Sequence, residues 1–200
     1  MDLAIAIPAL VVSLPVQATV AAAILLTSGR PVLFRQIRPG LYGKPFTLRK
    51  FRTMRVAGES EGWISDADRL TPLGRWLRST SLDELPSLVN IIRAEMSLVG
   101  PRPLLMEYLD RYTPAQARRH QVRPGLTGLA QVAGRNRVSW EERFRLDVEY
   151  VESASPRLDL RIIWRTMTML WKQTGISAQN HATMPEFIGH DHEQETTVTI

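Results

Sequence analysis

Asp83 and Glu84 are the residues whose types and spacing best fit chemistry, since they place adjacent carboxylates in the run Ser79-Thr80-Ser81-Leu82-Asp83-Glu84-Leu85-Pro86. Ser81 precedes Glu84 by three residues, which is the spacing of a helical capping box. Apolar residues then recur at helical spacing and predict a helix from Leu82 to about Arg93. The first turn of a helix has unpaired N–H groups and a partial positive charge, which attract phosphate groups. The sequence therefore places two acids where a phosphate would bind.

A carboxylate beside a bound phosphate can attack phosphorus, and a second carboxylate can hold the metal ion that screens the charges. Arg78 would add guanidinium donors. Thr71-Pro72 predicts the start of a short helix through Arg78, so Arg78 and Asp83 would meet at the corner between two helices. The alternative is that Asp83 and Glu84 are ordinary first-turn acids that complement the helix dipole, and this stretch alone leaves both interpretations open.

Two further basic segments are candidates for phosphate binding. Lys50-Phe51-Arg52-Thr53-Met54 alternates cations with an aromatic residue, and the alternative is a solvated strand edge. Arg102 lies between Pro101 and Pro103, which restrict its backbone to extended conformations and pre-organise its guanidinium. Glycine-containing turns at 122–128 and 134–136 would let backbone N–H groups approach a ligand, although the sequence has no Walker phosphate loop.

The N-terminal segment is uncharged from Leu3 to Gly29. A straight helix over 3–26 would be about 36 Å long, enough to cross a bilayer. Pro15 removes a helical hydrogen bond near the middle, and each half would be too short to cross. We therefore expect either a re-entrant helix with its break at Ser13 and Pro15, or a simple tilted span. Basic residues that follow the segment predict that the next domain is cytoplasmic: Arg30, Arg35 and Arg38.

The remaining patterns predict an α+β fold that is mostly helical. Strands around 32–34 and 46–48 flank a glycine-containing turn and predict a short β-hairpin. Helices are expected over 104–112, 113–120, 139–150 and 155–175, with Asp147 and Glu149 as solvated helix charges. Ser139 and Glu142 again have capping-box spacing. The last helix interleaves apolar residues, tryptophan and arginine, which favours an interfacial amphipathic helix and core packing about equally.

Length and composition set the domain organisation. Two hundred residues make one domain the default. With the apolar N-terminal segment and the polar, acidic C-terminal stretch, we expect a membrane helix over 1–29, a compact domain over 30–184 that carries the candidate catalytic residues, and a disordered polar tail over 185–200. The net charge of +5 indicates an anionic partner such as a phosphorylated substrate, a lipid surface or nucleic acid. The chain has no cysteine, which excludes disulfides and thiol chemistry.

Five motifs in order resemble the bacterial sugar transferases, specifically the small monotopic phosphoglycosyl transferases that act on polyprenol phosphate. The resemblance covers about residues 2–175. The motifs are Phe34-Arg35-Gln36 with Pro39-Gly40, Lys50-Phe51-Arg52-Thr53-Met54, Arg78-Ser79-x-Ser81-Leu82-Asp83-Glu84-Leu85-Pro86, Met96-Ser97-Leu98-Val99-Gly100-Pro101-Arg102-Pro103, and Arg123-Pro124-Gly125-Leu126-Thr127-Gly128-x-Ala130-Gln131-Val132-x-Gly134-Arg135-Asn136.

The resemblance implies a role for each matching residue. Asp83 would be the nucleophile that forms an aspartyl-phosphosugar intermediate, and Glu84, with Asp83, would bind Mg²⁺. Other positions would bind phosphate or substrate: Arg78, Arg102, Lys50, Arg52 and Arg135. The implied reaction moves a sugar-1-phosphate from a UDP-sugar to undecaprenyl phosphate and releases UMP. It would take place at the cytoplasmic face of the bacterial inner membrane, as the first membrane step of glycan assembly, without nucleic acid, and a homodimer is left open.

Finer features separate this chain from the general pattern. The family often has Ser-Pro at the helix break, whereas this chain has Ser13-Leu14-Pro15, and the family tends to carry Lys or Arg before the position of Asp2. Gly175-Ile176-Ser177 and His181-Ala182-Thr183 resemble the subgroup that uses UDP-linked diacetamido sugars such as UDP-N,N'-diacetylbacillosamine.

Two alternative functions follow from the residues alone. A membrane-anchored basic module that binds anionic lipid or nucleic acid would explain the net charge, but not two acids among arginines. A metal-dependent phosphatase would use the same pair of carboxylates but would release free sugar phosphate.

Overall fold

The computed structural model describes residues 1–55, 66–134, 138–172 and 186–189. Over these residues the fold is mostly helical, as predicted, with two small two-stranded sheets. The α-helices are α1 (Asp2–Ser28), α2 (Asp66–Arg69), α3 (Pro72–Thr80), α4 (Leu88–Ile92), α5 (Pro114–Ala117), α6 (Leu129–Gly134), α7 (Trp140–Ser153) and α8 (Pro156–Lys172). The strands are β1 (Leu33–Pro39), β2 (Pro45–Phe51), β3 (Ser97–Val99) and β4 (Gly125–Thr127).

The β-hairpin is confirmed and is longer than the pattern indicates. β1 pairs antiparallel with β2, with Phe34 opposite Lys50 and Pro39 opposite Pro45. A short 3₁₀ turn, Leu41–Gly43, connects the strands. Tyr42 and Gly43 both have positive φ there, 54° and 73°, and the backbone can then reverse tightly. The hairpin places Lys50 next to the 3₁₀ segment that carries Asp83.

The second sheet is a parallel pair that the sequence analysis did not predict. β3 and β4 pair through Ser97 with Gly125 and Val99 with Thr127. A Cβ on Gly125 would overlap the backbone of Gly100, so the close approach requires a residue without a side chain. The glycine-rich stretch interpreted as a turn is therefore partly a strand, and it fixes the Pro-Arg-Pro segment that follows β3.

Helix α1 is continuous through Ser13 and Pro15, and it contains two prolines, Pro8 and Pro15. Ser13 Oγ donates to the Leu10 carbonyl at 3.0 Å, and Thr19 Oγ1 donates to the Pro15 carbonyl at 3.0 Å. Both are local bonds from a side chain to a helix carbonyl in the turns on either side of Pro15. In the part of the chain that the structure describes, α1 alone is long and apolar enough to cross a membrane, and most of its surface faces outward.

Both ends of α1 contact the following domain. Near its start, Ala6 is buried against the main core, and the Asp2 carboxylate accepts a bond from the Leu98 N–H at 3.5 Å. Near its end, Ile24 packs in a second cluster with Phe51 and Leu77. Arg52 donates to the carbonyls of Ser28, Gly29 and Arg30, which closes the C-terminal end of the helix.

The main core lies between the hairpin, α4, the parallel sheet and the last two helices. Its buried apolar members are Ala6, Phe46, Leu48, Leu88, Ile91, Met96, Leu98, Val99, Tyr150 and Ile162. At the opposite end of the domain, Thr113 and Gln116 form a complete capping box at the start of α5. The helix predicted over 104–112 is a 3₁₀ helix, Met106–Arg111.

Two predictions about α7 differ from the structure. Ser139 caps the helix by accepting from the Glu142 N–H at 3.2 Å, but the Glu142 side chain pairs with Arg145 and does not complete a capping box. Asp147 is not a solvated charge: it is 2% exposed and pairs with Arg119 at 2.7 Å. Glu149 is exposed, as predicted, and pairs with Arg145.

In the described segment 186–189, Phe187 is buried and Ile188 is exposed, so the predicted disorder of the tail does not hold at Phe187. Phe187 is 3% exposed and lies in an aromatic cluster with Tyr108, Tyr112, Trp140 and Phe144. Arg111 pairs with Glu186 at 2.7 Å on the surface of this cluster. The rest of the predicted tail and the diacetamido-sugar motifs at 175–177 and 181–183 lie outside the described residues.

Candidate active site

The corner between α3 and α4 is built by a left-handed residue. Thr71 caps α3 by accepting from the Gly74 N–H at 2.9 Å, which confirms the predicted start of this helix. Ser81 then has φ 57°, and the chain turns into a 3₁₀ helix, Leu82–Ser87, which continues as α4. The predicted capping box is wrong: Ser81 makes no capping bond, and the Glu84 carboxylate points to other partners.

Those partners are Lys50 and Arg102, which both bind one oxygen of Glu84. Lys50 Nζ lies 2.5 Å from Glu84 Oε1, and Arg102 Nη2 lies 3.0 Å from the same atom. The three residues come from β2, the 3₁₀ helix and the Pro-Arg-Pro segment. Both cations bind Oε1. The other carboxylate oxygen, Glu84 Oε2, has no hydrogen-bond partner among the described residues.

The two neighbouring carboxyls have opposite pKa shifts. Burial and the charge of Glu84 raise the pKa of Asp83 to about 6, against the attraction of Lys50, Arg102 and Arg78. Burial would also raise the pKa of Glu84, but the charges and hydrogen bonds of Lys50 and Arg102 lower it to about 2. Near neutral pH both groups are ionised, with Asp83 the more basic and hence the more nucleophilic of the two.

Arg102 is held by its backbone as well as by its side chain. Arg119 Nη2 donates to the Arg102 carbonyl at 2.7 Å and to Asp147 Oδ2 at 2.7 Å. Asp147 therefore holds the guanidinium of Arg119, which in turn bonds the backbone of the Pro-Arg-Pro segment. Sequence reasoning missed Arg119 and Asp147 because their burial depends on contacts between residues 28 positions apart.

The other predicted site residues have different surroundings. Arg78 Nε donates to Thr53 Oγ1 at 3.1 Å, and the Arg78 charge acts on Asp83, so it belongs to the same site. The Arg52 guanidinium bonds the carbonyls of Gly29 and Arg30 at the end of α1, away from the Glu84 cluster, and its role as a phosphate ligand stays a prediction. Arg135 lies outside the described residues.

The site fits Mg²⁺ only with substrate oxygens. No cluster of three or more His, Asp or Glu side chains is present over the described ranges. Mg²⁺ characteristically binds one or two carboxylates and completes its octahedron with water and substrate phosphates. Asp83 and Glu84 Oε2 are the hard oxygen ligands that such a site needs.

A buried carboxylate of raised pKa, a second carboxylate paired with two cations, and an adjacent arginine are the parts of a phosphoryl-transfer site. The domain that holds them also carries an apolar N-terminal helix. The family comparison identifies the class: the chain belongs to the bacterial sugar transferase family, whose sequence model matches residues 1–173. This is a membrane-associated family, and α1 fits that property.

Individual relatives are similar over most of this chain. The chain is 53% identical to an uncharacterized sugar transferase, EpsL, of Bacillus subtilis (strain 168), over 84% of each chain. It is 43% identical to a UDP-glucose:undecaprenyl-phosphate glucose-1-phosphate transferase of Caulobacter vibrioides, over 78% of this chain and 62% of the relative. An Escherichia coli (strain K12) protein of the same name is 38% identical and is covered over 38% of its length.

Proposed function

We propose that the protein transfers a sugar-1-phosphate from a UDP-sugar to undecaprenyl phosphate through a covalent intermediate on Asp83. The observation that carries this proposal is the convergence of Lys50 and Arg102 on Glu84, next to the buried carboxyl of Asp83. The opposite directions of the Asp83 and Glu84 pKa shifts agree with it. Relatives that share 38% and 43% identity are named for the same reaction with UDP-glucose. The sequence resemblance assigns the same roles to the same residues.

The cationic side chains would bind the diphosphate of the donor. Arg102 presents a guanidinium whose side chain is 39% exposed, so part of it remains accessible to substrate while it contacts Glu84. Arg78 adds a second positive charge near Asp83. Mg²⁺, held by Glu84 and Asp83 oxygens, would screen the negative charge of the diphosphate. These charges would stabilise the negative charge that develops on the departing phosphate in the transition state.

The first step forms one bond and breaks one. An ionised oxygen of Asp83 attacks the phosphorus that bears the sugar; the bond from that phosphorus to the UMP oxygen breaks, and UMP leaves with the electron pair. In the second step, a phosphate oxygen of undecaprenyl phosphate attacks the same phosphorus, and the Asp83 carboxylate is the leaving group. The enzyme is restored and the lipid carries a diphosphate-linked sugar.

The attachment of both helix ends supports the proposal that α1 enters and leaves the membrane on one face. Asp2 bonds Leu98, and the carbonyls of Ser28 to Arg30 bond Arg52, so one domain holds both ends. A helix of 27 residues is about 40 Å long, and a straight crossing would carry one end away from that domain. We infer a re-entrant anchor in the inner membrane with the active site on the cytoplasmic face.

Helix α8 supports the same placement. Leu160, Trp164 and Met167 are 57%, 71% and 59% exposed, while Ile162 on the opposite face is 1% exposed in the core. The helix thus packs through one face and presents apolar side chains on another, which is the arrangement of an interfacial helix. This placement would bring the lipid acceptor and Asp83 to the same surface.

The sugar is the least constrained part of the proposal. The relatives' names specify UDP-glucose, whereas the tail motifs resemble the subgroup that uses UDP-N,N'-diacetylbacillosamine. We propose an N-acetylamino sugar of this kind as the natural donor. A panel of UDP-sugars with membrane fractions, scored by UMP release, tests this choice, and a strong preference for UDP-glucose would contradict it.

A rapid-quench experiment tests the covalent scheme. We expect UMP release from donor alone, up to about one equivalent per enzyme, because the first step needs no acceptor. UMP that forms only when undecaprenyl phosphate is present would contradict the scheme. Formation of free sugar phosphate, in place of a lipid-extractable sugar, would indicate the metal-dependent phosphatase.

A further inference from the structure

Arg38, near the end of β1, is a half-buried cation with neutral partners only. Its Nη2 donates to Gln36 Oε1 at 2.6 Å, and its Nη1 lies 3.4 Å from the Pro103 carbonyl oxygen. Its Nε is buried and has no hydrogen-bond partner. No carboxylate pairs with Arg38 among the residues that the structure describes. Most buried guanidinium groups in proteins are paired, so this one needs an explanation.

Arg102, a cation whose charge acts on Arg38, has the same sign. Pro103, whose carbonyl oxygen Arg38 approaches, directly follows Arg102. Burial first, and then the charge of Arg102, lower the pKa of Arg38 to about 10, so it remains charged at neutral pH. Two like charges in a partly desolvated region repel unless an anion lies with them.

The Glu84 carboxylate, at this end of the site, already pairs with two other cations. Glu84 Oε1 accepts from both Lys50 and Arg102, and the charge of the neighbouring Asp83 also acts on these two cations. Arg38 is a further positive charge on the hairpin side, and none of the described carboxylates is paired with it. Guanidinium groups offer planar pairs of N–H donors that match phosphate oxygens.

We propose that Arg38 and Arg102 together bind a phosphoryl group of a substrate, at a position on the hairpin side of Glu84. This inference rests on the proposed function, which requires two phosphorylated substrates. The group is either the phosphate of the lipid acceptor or the uridine-linked phosphate of the donor. Both have the same chemistry, and the experiment distinguishes them.

The test compares Arg38→Gln with Arg35→Gln. Arg35 lies on the same strand, is exposed and has no ion pair in the described part of the chain, so it controls for loss of a surface charge. We expect Arg38→Gln to raise the KM of one substrate by about tenfold or more, the effect of losing a charged hydrogen bond. Arg35→Gln should leave both KM values within about twofold of the wild-type values.

The two half-reactions identify the phosphate. A raised KM for the UDP-sugar in UMP release without acceptor assigns the donor phosphate to Arg38. A raised KM for undecaprenyl phosphate alone assigns the acceptor phosphate. Unchanged KM values for both substrates in an active Arg38→Gln enzyme would overturn the inference. If wild-type enzyme transfers sugar without releasing UMP from donor alone, the covalent scheme fails, but the KM comparison still tests Arg38.

A binding measurement separates phosphate recognition from folding. In an Asp83→Asn background, which cannot turn over, inorganic phosphate should raise the unfolding temperature. Adding Arg38→Gln should abolish that rise, and adding Arg35→Gln should not. Should Arg38→Gln fail to fold, Arg38→Lys keeps the charge but loses the planar pair of donors, and a weakened phosphate response is then expected. A full phosphate response in either Arg38 variant would refute the proposal.

Discussion

Asp83 and Glu84 are neighbours in sequence with different electrostatic surroundings. Glu84 has two cations in direct contact, and Asp83 has burial and the charge of Glu84 acting against it. Separated pKa values in adjacent acids are how one site divides two roles between similar groups. In the proposed mechanism, the acid with the raised pKa is the nucleophile, and the acid with the lowered pKa binds Lys50 and Arg102.

The raised pKa of Asp83 predicts an effect on stability. The folded protein binds the Asp83 proton more tightly than the unfolded chain does, since its pKa moves from 3.8 to about 6. Ionised Asp83 therefore destabilises the fold above pH 6, by up to about 3 kcal/mol, and this cost disappears as the pH falls toward 3.8. We predict that Asp83→Asn raises the unfolding temperature at pH 8 and that the gain shrinks below pH 6.

Thermal unfolding at several pH values, in detergent, measures this difference. Glu149→Gln is the control, because Glu149 is exposed and its removal should change the unfolding temperature little at any pH. If Asp83→Asn were less stable than wild type at pH 8, the ionised Asp83 carboxylate would not destabilise the fold, and the prediction would be wrong.

At the scale of secondary-structure elements, the buried pair of Arg119 and Asp147 connects α7 to the active site. Both side chains are almost completely buried, 1% and 3% exposed. Arg119 also donates to the carbonyl of Arg102, so the pair links the helix to the backbone of the arginine that we propose binds substrate. Breaking the pair should therefore affect both the fold and the position of Arg102.

We predict that Asp147→Asn lowers the free energy of unfolding by about 3–5 kcal/mol, because it leaves a buried guanidinium without its carboxylate. Urea denaturation measures the loss. Glu149→Gln, two positions along the same helix but exposed, should cost less than about 1 kcal/mol. Equal effects of the two variants would contradict the account of Asp147 as the anchor of Arg119.

The elements also show what the sequence could not reveal. The hairpin and the starts of α3, α5 and α8 follow from local signals such as Thr71-Pro72, and the structure has them where predicted. β3 and β4 are only three residues long and come together from positions about 28 apart, so no local pattern marks them. Helical periodicity likewise does not show that Asp147 faces Arg119. Phe187 is a single aromatic residue in a predominantly polar tail, so composition does not indicate that it is buried.

The same limit applies to the site. Motif order indicated which residue types matter, and Lys50, Glu84 and Arg102 do converge. Their sequence separations of 34 and 18 residues mean that only the tertiary fold brings them into contact. Arg52 belongs to the same motif as Lys50, and the period of two would place both side chains on one face of a strand. Because β2 ends at Phe51, Arg52 lies beyond the strand, and its guanidinium bonds the carbonyls at the end of α1.

At the scale of the whole molecule, the attachment of both ends of α1 to one domain predicts its topology. The chain has no cysteine, so single cysteines can be introduced and labelled without background. We predict that Asp2→Cys and Arg30→Cys react with a membrane-impermeant maleimide from the same side of sealed vesicles. That side should also label Arg118→Cys, an exposed position of the catalytic domain.

Labelling of Asp2→Cys only from the opposite side would show that α1 crosses the bilayer. In that case the contacts of Asp2 with Leu98 would not persist in the membrane, although the chemistry assigned to Asp83 would still apply.

The most direct measurement is the intact mass of the protein after incubation with the UDP-sugar donor and Mg²⁺ in the absence of a lipid acceptor. The account predicts a species heavier by one sugar-phosphate group, located on Asp83 and absent from Asp83→Asn. Undecaprenyl phosphate should then discharge the added mass. A wild-type chain that gains no mass under conditions where it transfers sugar to the lipid would contradict the central claim.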